Sequence, residues 1–147
     1  MSKVQEYLDL KERHQQEVND FPIAYAFNDE QLKEALKKLG VESTKECVTV
    51  FGHGDIVKKE NAKPLVDMLK RHTQEVKDKL KEDPDFAAAA FRYEMDNHEY
   101  AINWDGDDAI LDCFCISWND IEEWGLQLAW NKAHREHYQQ MEEWGVI

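Results

Sequence analysis

Apolar residues recur at three- and four-residue spacings along most of this sequence, and that period is the period of an α-helix. The clearest case runs from about Asn61 to Lys81, where one stripe holds Leu65, Met68, Leu69, His72, Val76 and Leu80. Similar patterns predict helices near residues 2–19, 29–39, 84–100 and 126–143. A chain built from such segments is expected to fold mainly as packed helices.

Residues at the helix ends support these boundaries. Asn28 precedes one helix as an N-cap, and Gly40 follows it at the position where a glycine commonly ends a helix. Asp83 and Pro84 form an N-cap followed by an N1 proline. The helix at 84–100 is therefore expected to begin at this pair.

Two shorter helices are predicted from weaker signals. Asp107 is expected to cap a helix over residues 109–115. Ser117, with Asp120 three residues later, resembles a capping box, although Asp is a weaker partner than Glu. Both segments are short, so these two predictions depend on the capping residues more than on periodicity.

The segment "CVTVFGHGDIV" (47–57) favours a β-hairpin, because β-branched and aromatic residues flank Gly52-His53-Gly54. A G-x-G pattern also occurs in phosphate-binding loops, but no following helix or lysine supports that interpretation here. Residues 22–27 offer a third strand, which a lone hairpin needs. The predicted class is α+β, predominantly helical, with five to six helices and a small two- to three-stranded antiparallel sheet, in a single domain over residues 1–147.

The net charge of −13 is concentrated in one part of the chain. Residues 82–123 hold 13 acidic residues and one basic residue, Arg92. A dense acidic segment is typical of a surface that docks on a basic partner, and it argues against direct binding of nucleic acid. The predicted acidic face consists of Asp85, Asp96, Glu99, Asp105, Asp107, Asp108, Asp112, Glu122 and Glu123.

The sequence gives no sign of a membrane segment or of export. Its apolar runs are far shorter than the ~20 residues that span a bilayer, and its first 16 residues are too charged for a signal peptide. The three cysteines, Cys47, Cys113 and Cys115, follow neither a disulfide framework nor a zinc-ligand spacing. A cytoplasmic protein without a cofactor is expected.

The segment "FRYEMDNHEY" (91–100) places Glu94 and His98 four residues apart, near the middle of the apolar side of a helix. One interpretation is a buried polar pair, because a neighbouring imidazole offsets the cost of burying a carboxylate. The other is a functional pair, either two metal ligands or a base and the group that orients it. The second histidine of an HExxH zinc motif is absent.

Two further histidines lie on the apolar stripes of their helices, His72 and His137. Such histidines are usually packed at a core edge with one nitrogen bonded. If their helices converge on the one that carries Glu94 and His98, the four residues form a metal site. The alternative function is therefore a small metal-dependent enzyme that uses these four residues.

Three segments carry a family resemblance: "FPIAYAFNDEQLKEALKKLGV", "GHGDIVKK" and "FRYEMDNHEY". In these the chain resembles a family of small uncharacterised proteins of gut Firmicutes and related bacteria, often found on phages and mobile elements. The resemblance implies no activity. It points to Phe27, Asn28, Gly52, Gly54, Tyr93, Glu94, Asn97, His98, Glu99 and Tyr100.

The function predicted first is a non-enzymatic acidic binding protein, an accessory protein of a phage or mobile element. Residues 82–123 would dock on a basic surface of a host protein, such as a nucleic-acid-binding defence protein. A homodimer is a further possibility, with exposed tryptophans that bury one another at the interface. The tryptophans concerned are Trp118, Trp124, Trp130 and Trp144.

Overall fold

The computed structural model describes residues 1–104 and 106–147. Its helices are α1 (Lys3–Asp20), α2 (Asp29–Leu39), α3 (Lys59–Glu82), α4 (Pro84–Asn97), α5 (Gly106–Cys113), α6 (Trp118–Glu123) and α7 (Gln127–Glu143). Its strands are β1 (Ala24–Tyr25), β2 (Cys47–Val48) and β3 (Asp55–Lys58). The predominantly helical α+β class is confirmed, with seven α-helices in the described residues where five to six were expected. The two shortest, α5 and α6, span eight and six residues and give little periodic signal.

The residues group into two compact units. Unit 1 comprises Met1–Lys11 and Thr73–Ile147, and unit 2 comprises Glu12–His72. Two helices, α1 and α3, contribute residues to both units. The expectation of a single domain over 1–147 stays a prediction.

Unit 2 contains an antiparallel three-stranded sheet with the strand order β1-β3-β2. Ala24 pairs with Ile56, and Cys47 pairs with Lys58. The sheet confirms both the hairpin predicted for residues 47–57 and the third strand predicted within 22–27. Its apolar neighbours include the buried residues Ile23, Val57, Leu65 and Met68.

The β2–β3 loop is organised by the carboxylate of Asp55, a residue that is only 2% exposed. It accepts a hydrogen bond from the Thr49 hydroxyl at 2.8 Å. It also accepts bonds of 2.7–3.3 Å from the backbone N–H groups of Val50, Phe51, Gly52 and His53. Burial by itself raises the pKa of Asp55, but these donors outweigh it and hold the pKa well below its ordinary range. The chain's own carboxylate thus occupies the amide groups that a phosphate would need.

The predicted helix ends are largely present. Asn28 accepts a hydrogen bond from a first-turn N–H of α2, and Gly40 follows that helix with a left-handed φ of 72°. Asp83 caps α4, while Ser117 and Asp120 form the predicted capping box of α6. The cap predicted at Asp107 is wrong, because this residue lies inside the first turn of α5. Its carboxylate instead accepts a hydrogen bond from the Tyr100 hydroxyl.

The core of unit 1 lies along α4, which packs against α7. Phe91 on α4 is fully buried, and its ring lies 5.1 Å from the ring of Trp130 on α7. The apolar stripe predicted for α7 is buried from Ala129 to Met141, but Trp144 is 64% exposed because the helix ends at Glu143. Among the described residues, no helix combines the length and apolar character that crossing a bilayer demands.

The turn after α5 places Cys115 in the left-handed region, with φ 54°. The turns after α2, α6 and α7 place Gly40, Gly125 and Gly145 there, with φ of 67–72°. A side chain is strained in this region, so Cys115→Gly is expected to raise the free energy of unfolding by about 1 kcal/mol. Urea unfolding under reducing conditions measures this.

The matched control is Gly125→Ala, since a Cβ at Gly125 would meet nothing within 4 Å and only the backbone conformation matters. That variant should lose stability by a similar amount. An unchanged or lower stability for Cys115→Gly, alongside a destabilised Gly125→Ala, would show that the Cys115 side chain makes a compensating contact.

Candidate functional site

The last turn of α4 brings Glu94 and His98 together. Asp83 and Pro84 fix the start of this helix, and His98 stands at its C-terminal cap, where its N–H bonds to the Glu94 carbonyl. Residues four apart lie on the same side of a helix, and here His98 Nε2 is 3.3 Å from Glu94 Oε2. Glu94 is 3% exposed while the His98 side chain is 40% exposed. The contact predicted between them is present, and the imidazole lies at the edge of the buried region.

The buried Glu94 carboxylate has a second partner, Lys11 on α1. Lys11 Nζ lies 2.8 Å from Glu94 Oε1 and 5.3 Å from the ring centres of both Tyr7 and Tyr93. Burial pushes the pKa of Glu94 upward, but the hydrogen bond and charge of Lys11 outweigh that effect and leave the pKa below its usual value. Glu94 is therefore an ionised carboxylate with one oxygen held by Lys11 and the other turned toward His98.

Cys113, at the end of α5, completes the cluster. Its Sγ lies 3.3 Å from His98 Nε2 and 3.2 Å from the Ala109 carbonyl oxygen. One ligand atom from each of Glu94, His98 and Cys113 lies within 4.8 Å of the other two. Partial burial of the sulfur, the nearby Glu94 charge and a hydrogen bond to Glu94 raise the pKa of the Cys113 thiol to about 12. Sequence reasoning missed Cys113, because 15 residues separate it from His98 and no spacing rule joins them.

The geometry is unlike that of a catalytic thiol relay. In such a relay the imidazole receives the thiol proton on one nitrogen while a carboxylate orients the ring through the other. Here both the Cys113 sulfur and the Glu94 oxygen contact the same atom, His98 Nε2. One ligand atom from each of the three residues is close enough to the others to hold a metal ion.

The other two predicted ligands, His72 and His137, have contacts of their own. His137 is fully buried, with Nε2 accepting the Ala101 N–H at 3.1 Å and Nδ1 lying 2.6 Å from Asp96 Oδ1. Both of its ring nitrogens are thus engaged. His72 belongs to unit 2, where its ring stacks on His14 at 4.0 Å and burial lowers its pKa. His137 is therefore not grouped with Glu94 and His98, and a role for His72, which belongs to the other unit, stays a prediction.

The predicted acidic face divides into three groups. Two members have partners inside the fold: Asp96 pairs with Arg92 and His137, and Asp107 with Tyr100. Asp105 lies outside the described residues. Six are exposed, and their carboxylates form no ion pair or hydrogen bond within the described part of the chain: Asp85, Glu99, Asp108, Asp112, Glu122 and Glu123.

The tryptophans proposed for a dimer contact differ in exposure. Trp130 is 5% exposed and belongs to the core of unit 1, so it is not the exposed residue that a dimer contact would need. Trp124 is half-buried, with Lys81 Nζ 4.5 Å from its ring centre. Trp118 is 46% exposed and Trp144 64%.

An open groove of about 400 Å³ lies between α6 and α7, both of which belong to unit 1. Its lining consists of Trp118, Ile121, Glu122, Gln127, Trp130 and Asn131. The two indole rings meet edge to face at 4.9 Å, and Glu122 adds an ionisable carboxylate. No cation among the described residues is found over the Trp118 ring, whereas Lys81 already covers Trp124. The groove combines an aromatic surface with a negative charge.

Fold and site define a small, mainly helical α+β protein with a Glu–His–Cys cluster and an acidic, tryptophan-lined groove. Residues 6–136 match a family of unknown function, DUF7659, and the chain belongs to that family. The resemblance to an uncharacterised family is confirmed at this level. No curated protein and no solved structure matches the chain.

Proposed function

We propose that this protein binds a basic segment of a partner protein, with a lysine or arginine of the partner seated in the groove of Trp118, Trp130 and Glu122. The observation that carries the proposal is the composition of this groove, an indole surface with a carboxylate beside it. A cation over a tryptophan face gains about 0.5–2 kcal/mol, and a nearby carboxylate adds a charge-assisted hydrogen bond. Lys81 and Trp124 form a cation–π contact of this kind within the chain.

The exposed carboxylates support the same role. Glu122 lines the groove and Glu123 follows it, while Asp108 and Asp112 stand four apart on one side of α5. None of the four has a partner among the described residues. Carboxylates of this kind raise the association rate with a basic surface and make binding sensitive to salt.

The proposed role is non-enzymatic. The basic surface of the proposed partner protein would also attract phosphates. Nucleic-acid-binding proteins carry such surfaces, because they neutralise phosphates with lysine and arginine. We propose such a protein of a bacterial host as the partner, in keeping with the resemblance to proteins of phages and mobile elements. We do not propose that this protein itself binds nucleic acid.

A lysine- and arginine-rich peptide tests the groove directly, by fluorescence anisotropy at low salt and again at high salt. The wild-type protein is expected to bind, with affinity falling as salt rises. Trp118→Ala should weaken binding about 2- to 30-fold, which corresponds to the loss of one cation–π contact. Glu122→Gln should weaken binding and reduce its dependence on salt.

Matched controls lie outside the groove. Trp144→Ala removes another exposed indole, and Glu142→Gln removes another exposed carboxylate beyond residues 82–123. Both should bind as the wild type does. The proposal fails if the wild type does not bind the peptide at low salt, or if Trp118→Ala and Trp144→Ala bind equally well.

A further inference from the structure

We propose that Glu94, His98 and Cys113 bind one divalent transition-metal ion of the zinc type. The proposal goes beyond the docking function and uses a different part of unit 1. The proposed site retains Glu94 and His98 from the ligand set expected from the sequence, and Cys113 takes the place of His72 and His137. Its three ligands are a carboxylate, an imidazole and a thiolate.

The separations of the donor atoms fit tetrahedral coordination. Zinc bonds of about 2.0–2.3 Å at tetrahedral angles place neighbouring ligand atoms about 3.3–3.7 Å apart. His98 Nε2 lies 3.3 Å from both Glu94 Oε2 and Cys113 Sγ. All three donor atoms lie within 4.8 Å of one another. Rotation of the exposed Cys113 side chain can bring its sulfur closer to Glu94 and complete the geometry.

The supporting contacts are those that a metal ligand needs. Ligating carboxylates are usually held by further hydrogen bonds that fix their orientation. Glu94 Oε1 is held by Lys11, which leaves Oε2 as the oxygen that faces His98. Two donors come from one turn of α4 and are brought close by the helix itself, so only the third must be supplied by α5.

The donor types select the metal. A thiolate and an imidazole favour zinc, cobalt and similar ions, whereas magnesium and calcium prefer oxygen ligands. Three protein ligands leave the fourth tetrahedral position for water or another small ligand, as in open zinc sites. Cys113 is exposed and His98 is half-buried, so that position is reached from solvent.

A purely structural role for the cluster accounts for less of the geometry. Lys11 and His98 already satisfy the two Glu94 oxygens as partners of a buried carboxylate. In that role the Cys113 thiol would hydrogen-bond to Glu94 or to His98, whose Nε2 lies 3.3 Å from the sulfur. Hydrogen bonds account for these contacts pair by pair, whereas a shared ion accounts for all three donor atoms lying within 4.8 Å of one another.

The test uses full-length protein without an affinity tag, treated with a chelator and then titrated with Zn²⁺ or Co²⁺ under reducing conditions. Calorimetry is expected to give one equivalent of Zn²⁺. Bound Co²⁺ should show the near-ultraviolet charge-transfer absorption of a thiolate ligand. Mg²⁺ should give no stoichiometric binding.

Cys113→Ser is expected to abolish the charge-transfer band and to weaken Zn²⁺ binding by more than the 10- to 100-fold that loss of an outer partner produces. Cys115→Ser, two residues away and also exposed, is the matched control and should bind as the wild type does. His98→Gln provides a second loss-of-ligand variant, because its half-exposed side chain can be changed with little effect on the core. Circular dichroism confirms that each variant is folded.

Less than one equivalent of Zn²⁺ bound by the reduced wild type overturns the proposal. So does a charge-transfer band that persists in Cys113→Ser, or one that Cys115→Ser abolishes. Equal affinities of folded His98→Gln and wild type also exclude the site. None of these results bears on peptide binding at the groove, so the two proposals fail separately.

Discussion

Asp55→Ala is expected to lower the free energy of unfolding by about 3–4 kcal/mol. Its carboxylate accepts five hydrogen bonds in the β2–β3 loop, and a hydrogen bond to a charged group contributes about 1.5–3 kcal/mol. The full sum is not lost, because Phe51, Gly52 and His53 are exposed and their N–H groups can bond to water instead. Urea unfolding measures the loss, and hydrogen exchange should show it most strongly in residues 47–58.

The matched control is Asp67→Ala, since Asp67 is exposed and pairs with Lys63 across one helical turn. Exposed pairs of this kind contribute about 0.3–0.5 kcal/mol. A loss in Asp55→Ala no larger than that of the control would contradict the role given to this carboxylate.

Asp55 also predicts how the free energy of unfolding changes at acidic pH. The pKa of Asp55 is lower in the folded than in the unfolded chain, so its contribution is fully present above the unfolded value of about 4. The contribution is then lost as pH falls below that value toward the folded pKa. In Asp55→Asn this part of the acid destabilisation should be missing, and the stability difference from wild type should shrink below about pH 4.

Lys11→Met is expected to lower the free energy of unfolding by about 2–4 kcal/mol at neutral pH, measured with a chelator present. The substitution keeps much of the side-chain volume but leaves the buried Glu94 carboxylate without its cation, and an unpaired buried charge is strongly destabilising. The expected value is below the full cost of breaking a buried pair, because the Lys11 side chain is itself 42% exposed.

The double variant Lys11→Met/Glu94→Gln separates charge from packing. If the loss comes from the unpaired carboxylate, the double variant should regain most of it, and the coupling between the sites should exceed 1 kcal/mol. The penalty of Lys11→Met should also diminish as pH falls, because without the Lys11 cation burial favours the protonated form of Glu94. A penalty that is independent of pH and of Glu94→Gln would mean that Lys11 acts through packing on Tyr7 and Tyr93.

Features determined by neighbouring residues could be predicted from the sequence. The caps at Asn28, Asp83 and Ser117 are local hydrogen bonds, and the Glu94–His98 contact follows from the pitch of one helix. Asp107 illustrates the limit of such reasoning. This residue is suited to an N-cap, but it becomes an ordinary helical residue because the helix starts at Gly106, three positions before the predicted start at residue 109.

Features that depend on tertiary placement were not predictable in this way. Cys113 joins Glu94 and His98 only because α5 runs beside the end of α4. The charge pattern likewise placed nine acids between residues 85 and 123 on one surface. Asp96 instead pairs with Arg92 one helical turn earlier and with His137 on α7, and the contact with His137 depends on tertiary placement.

The position of His98 at the C-terminal cap of α4 affects which ions the cluster can attract. Aligned peptide dipoles leave about half a negative charge at that end of a helix. Lys11 offsets much of the charge of Glu94, so this partial charge adds to the field that acts on an approaching ion before any ligand bond forms. At the proposed metal site the end of α4 would therefore favour a cation over phosphate or another anion, so the backbone would discriminate by sign of charge and the three side chains by donor type.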